Sequence, residues 1–481
     1  MTFEEILQTI AWEYVWNPAL PIIFLLFGLY MTVGTRFFQF RRFGTIWRNT
    51  MGKIMEARRG KGPGILTSFQ AWATAAGGAI GMGNIAGVSS AVALGGPGAV
   101  FWMWIAALMG MATKMGEVSL ALHYREVFPD GKAYGGPTFY IEKGLGKERG
   151  WPSWVWKLLA IIFGAGIFST MFITMSNFSL QETFKATFNT STTAAVGFGF
   201  LYVLLVYAVI LGGIPRVGRF AEIALPIMAI FYITGGLGVI IVNIDKLLGA
   251  LALIFKSAFT GHAAVGGFAG VTIMKAVQVG VARGVYSNEA GWGSSPMVHA
   301  TAKVDHPVRQ GLWGAFEVFL DTIIICTITG LVVVTTGVWQ SGVGGAGEVA
   351  RAFETVYGPA GKYLVFIALF IFVFTTTTGW YTYYETLLVH AFKNKPRESI
   401  EKAVKILRLV NPIPGFLLAS WGMLAGIVPT IFWILADLTT GIPIYANLIA
   451  LIVLSPVIFK LVREFEEQYL SKEDAERKTK T

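Results

Sequence analysis

Residues Gly77–Gly87 read GGAIGMGNIAG, five glycines in eleven positions, in the middle of an apolar run from residue 65 to residue 94. Glycine costs a helix interior about 1 kcal/mol relative to alanine. Several of them together weaken a helix at the depth where a bilayer offers no water. One reading is a deliberate break. An unwound turn frees carbonyls at the end of the lower half-helix and amides at the start of the upper one, and in apolar surroundings those groups need partners. A cation satisfies the carbonyls, and a carboxylate satisfies the amides with help from the half-helix dipole. The other reading is close helix packing through small residues, which Gly77…Gly81, Gly83…Gly87 and Gly280…Gly284 all fit.

The rest of the chain says that the bilayer is there. Of 481 residues, 54% are apolar and 14% charged, where soluble proteins carry about a quarter charged. Apolar runs near the roughly 20 residues that cross a bilayer recur throughout. They predict eleven transmembrane helices, over 17–34, 65–94, 98–122, 153–180, 193–212, 218–243, 262–288, 310–337, 362–390, 409–430 and 434–461. The fold class is therefore all-α integral membrane, in one domain. No basic segment precedes the first run, so no cleaved signal peptide is expected. The single cysteine, Cys326, excludes a disulfide framework within the chain.

The net charge of +10 would suit a nucleic-acid partner, but its distribution argues otherwise. Residues 1–35 hold no Lys or Arg, and residues 36–61 hold eight. With the N-terminus outside and the C-terminus cytoplasmic, 30 of the 38 basic residues fall on the cytoplasmic side, five fall outside, and Lys114, Lys275 and Arg283 lie within spans. That is the positive-inside pattern, and anionic lipid headgroups are its expected partners. The basic segment 36–64 reads as interfacial and amphipathic, the run 391–408 as cytoplasmic, and the tail 462–481 as a solvated helix or disordered. The loop 338–361 is long enough for a short helix over the external mouth.

Spans 65–94 and 262–288 are both glycine-interrupted, the second at Gly266–Gly270 (GGFAG) and Gly280–Gly284 (GVARG). If the first span is an accessory helix, these two open five-helix halves of opposite orientation, 65–243 and 262–461. Matched broken helices in inverted repeats point to a secondary transporter's binding site. Phe374–Trp380, FTTTTGW, adds four hydroxyls in the ninth span. They either bond back to their own helix or supply oxygen ligands to a monovalent ion.

Charges within spans are functional candidates. Glu317 and Asp321 lie four apart on one helix face, with Arg283, Lys275 or Lys114 as expected partners in a gating or structural ion pair. Lys275 could also snorkel, or take the place of a cation. Glu117 and Glu222 lie near cytoplasmic ends and read as solvated. His123, His262, His299, His306 and His390 are scattered near span ends and loops, without metal spacing. No HExxH or GxxxxGK[ST] occurs, so metalloprotease and P-loop chemistry lack their parts. Nothing resembles a repeated channel filter.

Gly95–Gly110, GGPGAVFWMWIAALMG, resembles the signature of the alanine/glycine:cation symporter family, the sodium:alanine symporters. Gly280–Gly293, GVARGVYSNEAGWG, and His306–Thr329, HPVRQGLWGAFEVFLDTIIICTIT, resemble two more of its blocks. The resemblance implies the leucine-transporter fold with an extra N-terminal helix, in the plasma membrane of a prokaryote, importing small neutral amino acids with sodium and no other cofactor, as a monomer or weak oligomer. The opening stretch also resembles the broken first helix of the neurotransmitter:sodium symporters. Carried over, the carbonyls of Gly77 and Ile80 would hold sodium, with the hydroxyls of Thr375 and Thr376 and the carbonyl of Phe372. The amides of Met82 and Gly83 would meet the substrate carboxylate, and Asn84 would line the pocket or serve a second ion. Ala79, Met82 and Ser176 stand where alanine carriers tend to have Thr, Thr and Gln, which puts alanine itself in question. Phe268 and Trp380 are expected in the side-chain wall.

Overall fold

The computed structural model describes residues 3–173, 175–260, 272–427 and 429–471. They are helical almost throughout, apart from a two-stranded hairpin pairing Glu126–Val127 with Ala133–Tyr134. Among the described residues, eight helices are long and apolar enough to cross a membrane, and nine if one bent pair counts as a span. Two of the other expected spans are covered by shorter helices among the described residues. The run 153–180 divides into Ser153–Ser169 and Met175–Phe188, and Ile273–Asn288 covers only sixteen residues.

The bent pair is Ser68–Ala79 and Gly83–Gly95, turned by 47°. The lower half starts at a capping box, in which the Thr67 hydroxyl accepts from the Gln70 amide and the Gln70 side chain accepts from the Thr67 amide. It stops where Ile80 turns extended, at ψ 99°. The break and close packing through the glycines occur together. A side chain on Gly78 would stand 2.9 Å from the Tyr383 hydroxyl, and one on Gly81 2.5 Å from the Thr376 hydroxyl. Missing side chains thus let the helix Ala360–Phe392 lie directly against the break.

One of the two expected interruptions in the run 262–288 does not occur. GVARG lies inside the continuous helix Ile273–Asn288. Its Gly280 serves packing, since a side chain there would come within 2.5 Å of the Ala99 carbonyl on the helix Gly98–His123. The chain breaks afterwards, over residues 289–295, with Glu289, Gly291 and Gly293 at φ 56°, 78° and 84°, and resumes at Pro296–His299. GGFAG, Phe268 and His262 lie outside the described residues. The two breaks touch, for a side chain on Gly83 would meet the Tyr286 ring at 3.1 Å and the Ser287 Cα at 3.3 Å.

The loop 338–361 carries the helix Gly345–Tyr357, whose buried Glu348 accepts from Ser89 (2.7 Å), Ser341 (2.8 Å) and the Gly344 amide (3.2 Å). The segment 36–64 forms three short helices, and Phe38 and Ile46 are fully buried. At the basic face, the stretch before the first broken helix is strapped to the end of the second. The Ile65 amide donates to the Thr301 carbonyl (2.7 Å) and the Lys303 amide to the Leu66 carbonyl (2.9 Å).

On the same face Glu142 ties the loop between residues 123 and 152 to the end of Ala360–Phe392, at 2.9 Å from His390 and 2.6 Å from Lys393. The His390 ring and then the Lys393 ammonium outweigh burial and hold its carboxyl down from 4.5 to about 2. A depressed carboxylate stabilises the fold above its unfolded value and loses that contribution as pH falls toward the folded one. Melting temperature in detergent should therefore fall less from about pH 5 to about pH 3 in Glu142→Gln than in the wild type. Parallel curves would remove Glu142 from the acid response.

Candidate functional site

The break frees the groups that the sequence reading assigns to an ion. The Gly81 amide donates to the Asn84 side-chain oxygen (2.8 Å) instead of to the Gly77 carbonyl, one helical turn back. The Thr376 hydroxyl lies across the freed oxygens, 3.3 Å from the Gly77 carbonyl and 3.4 Å from the Ile80 carbonyl. Thr375 is oriented differently. Its hydroxyl donates back to its own helix, to the carbonyls of Ile371 (3.1 Å) and Phe372 (2.9 Å). Of the five expected cation ligands, three converge, and Thr375 occupies the Phe372 carbonyl.

Beside this point lies a cavity. Ala79, Met82, Gly83, Ser176 and Trp380 all line it, as does Thr376. Among the described residues no acceptor meets the amides of Met82 and Gly83, so the first turn of the upper half-helix presents two donors and its positive dipole end. Trp380 closes one side, its indole N–H donating to the Gly78 carbonyl (3.2 Å). The second break supplies Tyr286, Glu289 and Trp292 to the lining, and the Trp292 and Trp380 rings lie 5.0 Å apart. Sequence reading does not single out these three. The signal available was SNEAGWG, in which two glycines flank a tryptophan right after an amphipathic helix.

Asn84 faces away from the cavity. Its amide donates to the Asp321 carboxylate (2.6 Å), which also accepts from Ser287 (2.9 Å) and Thr322 (2.7 Å). Asp321 is fully buried, and no cationic side chain lies within 4 Å of it among the described residues. The expected pairing with Lys275 or Arg283 therefore does not form. Arg283 instead forms a two-pronged pair with Asp437 in the last long helix, between the Trp12 and Trp433 rings. Lys275 sits 4.5 Å from the centre of the Trp12 ring. Asp437 is a charge inside an apolar run, and that rule alone marks it as a functional candidate.

Glu317 does meet Lys114, at 3.4 Å, and also His299, at 2.7 Å. His299 is completely buried, not in a loop. Its other ring nitrogen accepts from Gln310, which pins Nε2 as the protonated nitrogen that donates to Glu317. Glu117 is fully buried as well, contrary to a solvated reading, because it supports the second break by accepting from the Gly291 amide (3.0 Å) and from Asn447 (2.6 Å). Glu222 pairs with the partly exposed Arg58 at 3.0 Å. No group of three or more His, Cys, Asp and Glu side chains able to hold a metal occurs among the described residues.

The family model of the sodium:alanine symporter family matches residues 1–480. An uncharacterised transporter of Haemophilus influenzae is 39% identical over 473 residues, which are 97% of this chain and 96% of the relative. The sodium/alanine symporter AgcS of Methanococcus maripaludis is 36% identical over 474 residues, 97% of this chain and 98% of the relative. Among solved structures, MhsT in complex with L-phenylalanine superposes with a TM-score of 0.58 at 15% identity, covering 84% of this chain and 90% of that one, which shows a common fold. The chain belongs to the sodium:alanine symporter family.

Proposed function

We propose that this family member is a sodium-coupled symporter that imports small neutral amino acids by alternating access. The observation that carries the reading is the junction at the first break, where the Thr376 hydroxyl spans two freed carbonyls next to two amides that meet no acceptor among the described residues. Sodium replaces that hydroxyl's hydrogen bonds with an oxygen cage. The substrate carboxylate takes the amides of Met82 and Gly83. Its side chain lies against Trp380 and Trp292, in a cavity where Ala79, Met82 and Ser176 offer little polarity, so a residue larger or more apolar than alanine fits the wall. Eleven spans with the N-terminus outside, arranged as an accessory helix and inverted halves 65–243 and 262–461, are the matching architecture. The Arg283–Asp437 pair serves as the external gate and the straps at Ile65 and Lys303 as the cytoplasmic one.

Each sodium moving down the membrane potential supplies about 2.3 kcal/mol per 100 mV. The buried Asp321 carboxylate, met only by neutral donors, suits a second sodium beside Asn84 and Ser287. The decisive experiment is uptake of labelled alanine into proteoliposomes, with an inward sodium gradient or with choline, against a panel of unlabelled amino acids. Sodium-dependent uptake moving two charges per zwitterion supports both ion positions, and one charge leaves only the Thr376 position. No amino-acid uptake by folded protein under a sodium gradient would sink the proposal and leave helix packing as the role of the glycines.

A further inference from the structure

Among the residues that line the cavity, Glu289 carries the only ionisable acid or base of the Asp, Glu, Lys, Arg and His types. It is 1% exposed. Its Oε2 accepts from the Ser294 hydroxyl (2.6 Å) and the Tyr383 hydroxyl (3.2 Å). Among the described residues no donor reaches its Oε1, and no Lys, Arg or His nitrogen lies within 4 Å of either oxygen. Its neighbours are provided for. Glu317 has Lys114 and His299, Asp437 has Arg283, and Glu117 has the Gly291 amide and Asn447. The Lys114 ammonium acts on Glu289 only from beyond pairing distance, being engaged by Glu317 and Ser295, and a carboxylate taken out of water without a direct cationic partner is strongly disfavoured. The backbone nevertheless holds Glu289 at φ 56°, a conformation uncommon for a residue with a side chain, so that it caps the helix Ile273–Asn288 and joins the cavity wall.

We propose that the direct cationic partner of Glu289 is the substrate's ammonium group, and that Glu289 makes the cavity select α-amino acids over the hydroxy acids of the same shape. This rests on the reading of the cavity as an amino-acid site. The geometry suits a molecule with opposite charges a few bonds apart. The carboxylate end goes to the Met82 and Gly83 amides on the first break, and the ammonium end goes to Glu289 on the second. Gly83 packs against Tyr286 and Ser287 in the last turn before the second break, and Met82, Gly83 and Glu289 line the same cavity, where a short zwitterion can meet both. Because the described lining residues include no basic side chain, a second carboxylate on the substrate would find no partner among them, which disfavours acidic amino acids.

The test uses purified full-length protein in saturating sodium, with affinity read from ligand-induced thermal stabilisation. The ligands are L-alanine and L-lactate, which differ by ammonium against hydroxyl. The wild type should prefer alanine by about 100-fold or more, because a site built around a charged hydrogen bond rejects the analogue that lacks the charge. In Glu289→Gln, alanine should weaken by about 10- to 100-fold while lactate stays within about threefold, so that the preference collapses. Tyr383→Phe, which removes one donor and keeps the charge, should retain the preference. If Glu289→Gln does not fold, Glu289→Asp, with its carboxylate drawn back, should lower the preference in the same direction. Equal weakening of both ligands would assign Glu289 to holding the second break together and would overturn the proposal. So would a wild type that binds lactate as well as alanine. Failure of the wild type to take up any amino acid under sodium is a different result, for it removes the site itself and not the role of Glu289.

Discussion

Thr376→Val raises the sodium concentration for half-maximal uptake by about 10- to 100-fold, and Thr375→Val raises it by less than about threefold. The expectation follows from where the two hydroxyls point. Thr376 reaches the carbonyls of Gly77 and Ile80 on the broken helix, whereas Thr375 is spent on the carbonyls of Ile371 and Phe372 in its own helix. Valine keeps the shape and the branching and removes only the oxygen. A hydrogen bond or dipole contact to a charge is worth about 1.5–3 kcal/mol, and 1.4 kcal/mol is tenfold in affinity. The check is the sodium dependence of uptake in proteoliposomes at fixed substrate. Equal shifts for both variants would mean that Thr375 turns toward the ion when sodium arrives, and no shift for Thr376 would remove it from the ion's shell. Substrate affinity at saturating sodium should change little in Thr376→Val, because excess ion restores the filled site.

Asp437→Asn lowers the melting temperature of the purified protein by about 5 °C or more, and Arg283→Met does the same. Both partners are almost fully buried, and the guanidinium meets both carboxylate oxygens while stacked between two tryptophan rings. Removing one member of such a pair leaves the other charge alone in a dry interior, at a cost of about 3–5 kcal/mol. A loss of that size moves a domain of 150–250 residues by about 2–4 °C per kcal/mol, and a larger one by less. The double variant should melt above either single variant, because it carries no orphaned charge. Purely additive losses would show that the two side chains act independently. If the pair is also the external gate, the single variants will take up substrate poorly even at temperatures where they remain folded, because closure over the cavity is no longer rewarded.

The helical membrane class, several of the long apolar helices and the presence of a break at Gly77–Gly87 were legible in composition and run length. Each is a property of local segments, for apolar length decides whether a helix crosses a bilayer, and glycine density decides where it is weak. The same logic gave an interruption at GVARG where the helix is continuous, while GGFAG lies outside the described residues. Gly280 and Gly284 looked like a weak point, yet the helix runs through them because the bulk of Trp102 and the backbone at Ala99 occupy the space that side chains would fill. The chain turns at Glu289, where Gly291 and Gly293 supply positive φ and Glu117, from a distant helix, accepts from the buried Gly291 amide.

Charges divide in the same way. That Arg283, Glu317 and Asp321 lie buried followed from their depth in apolar runs, but their partners did not. Spacing along one helix places Glu317 and Asp321 on one face, yet they serve separate clusters, one around Lys114 and His299 and the other around Asn84 and Ser287. Arg283 and Asp437 are 154 residues apart. Sequence by itself determined what kind of solvent each segment meets, and which backbone would come undone at the first break, because hydrophobic transfer and helix propensity act within a segment. Only the tertiary structure decided which hydroxyl faces the freed carbonyls, which glycines are contact points, and which buried carboxylate is left facing the cavity, because those depend on atoms that the fold alone brings within a few ångströms.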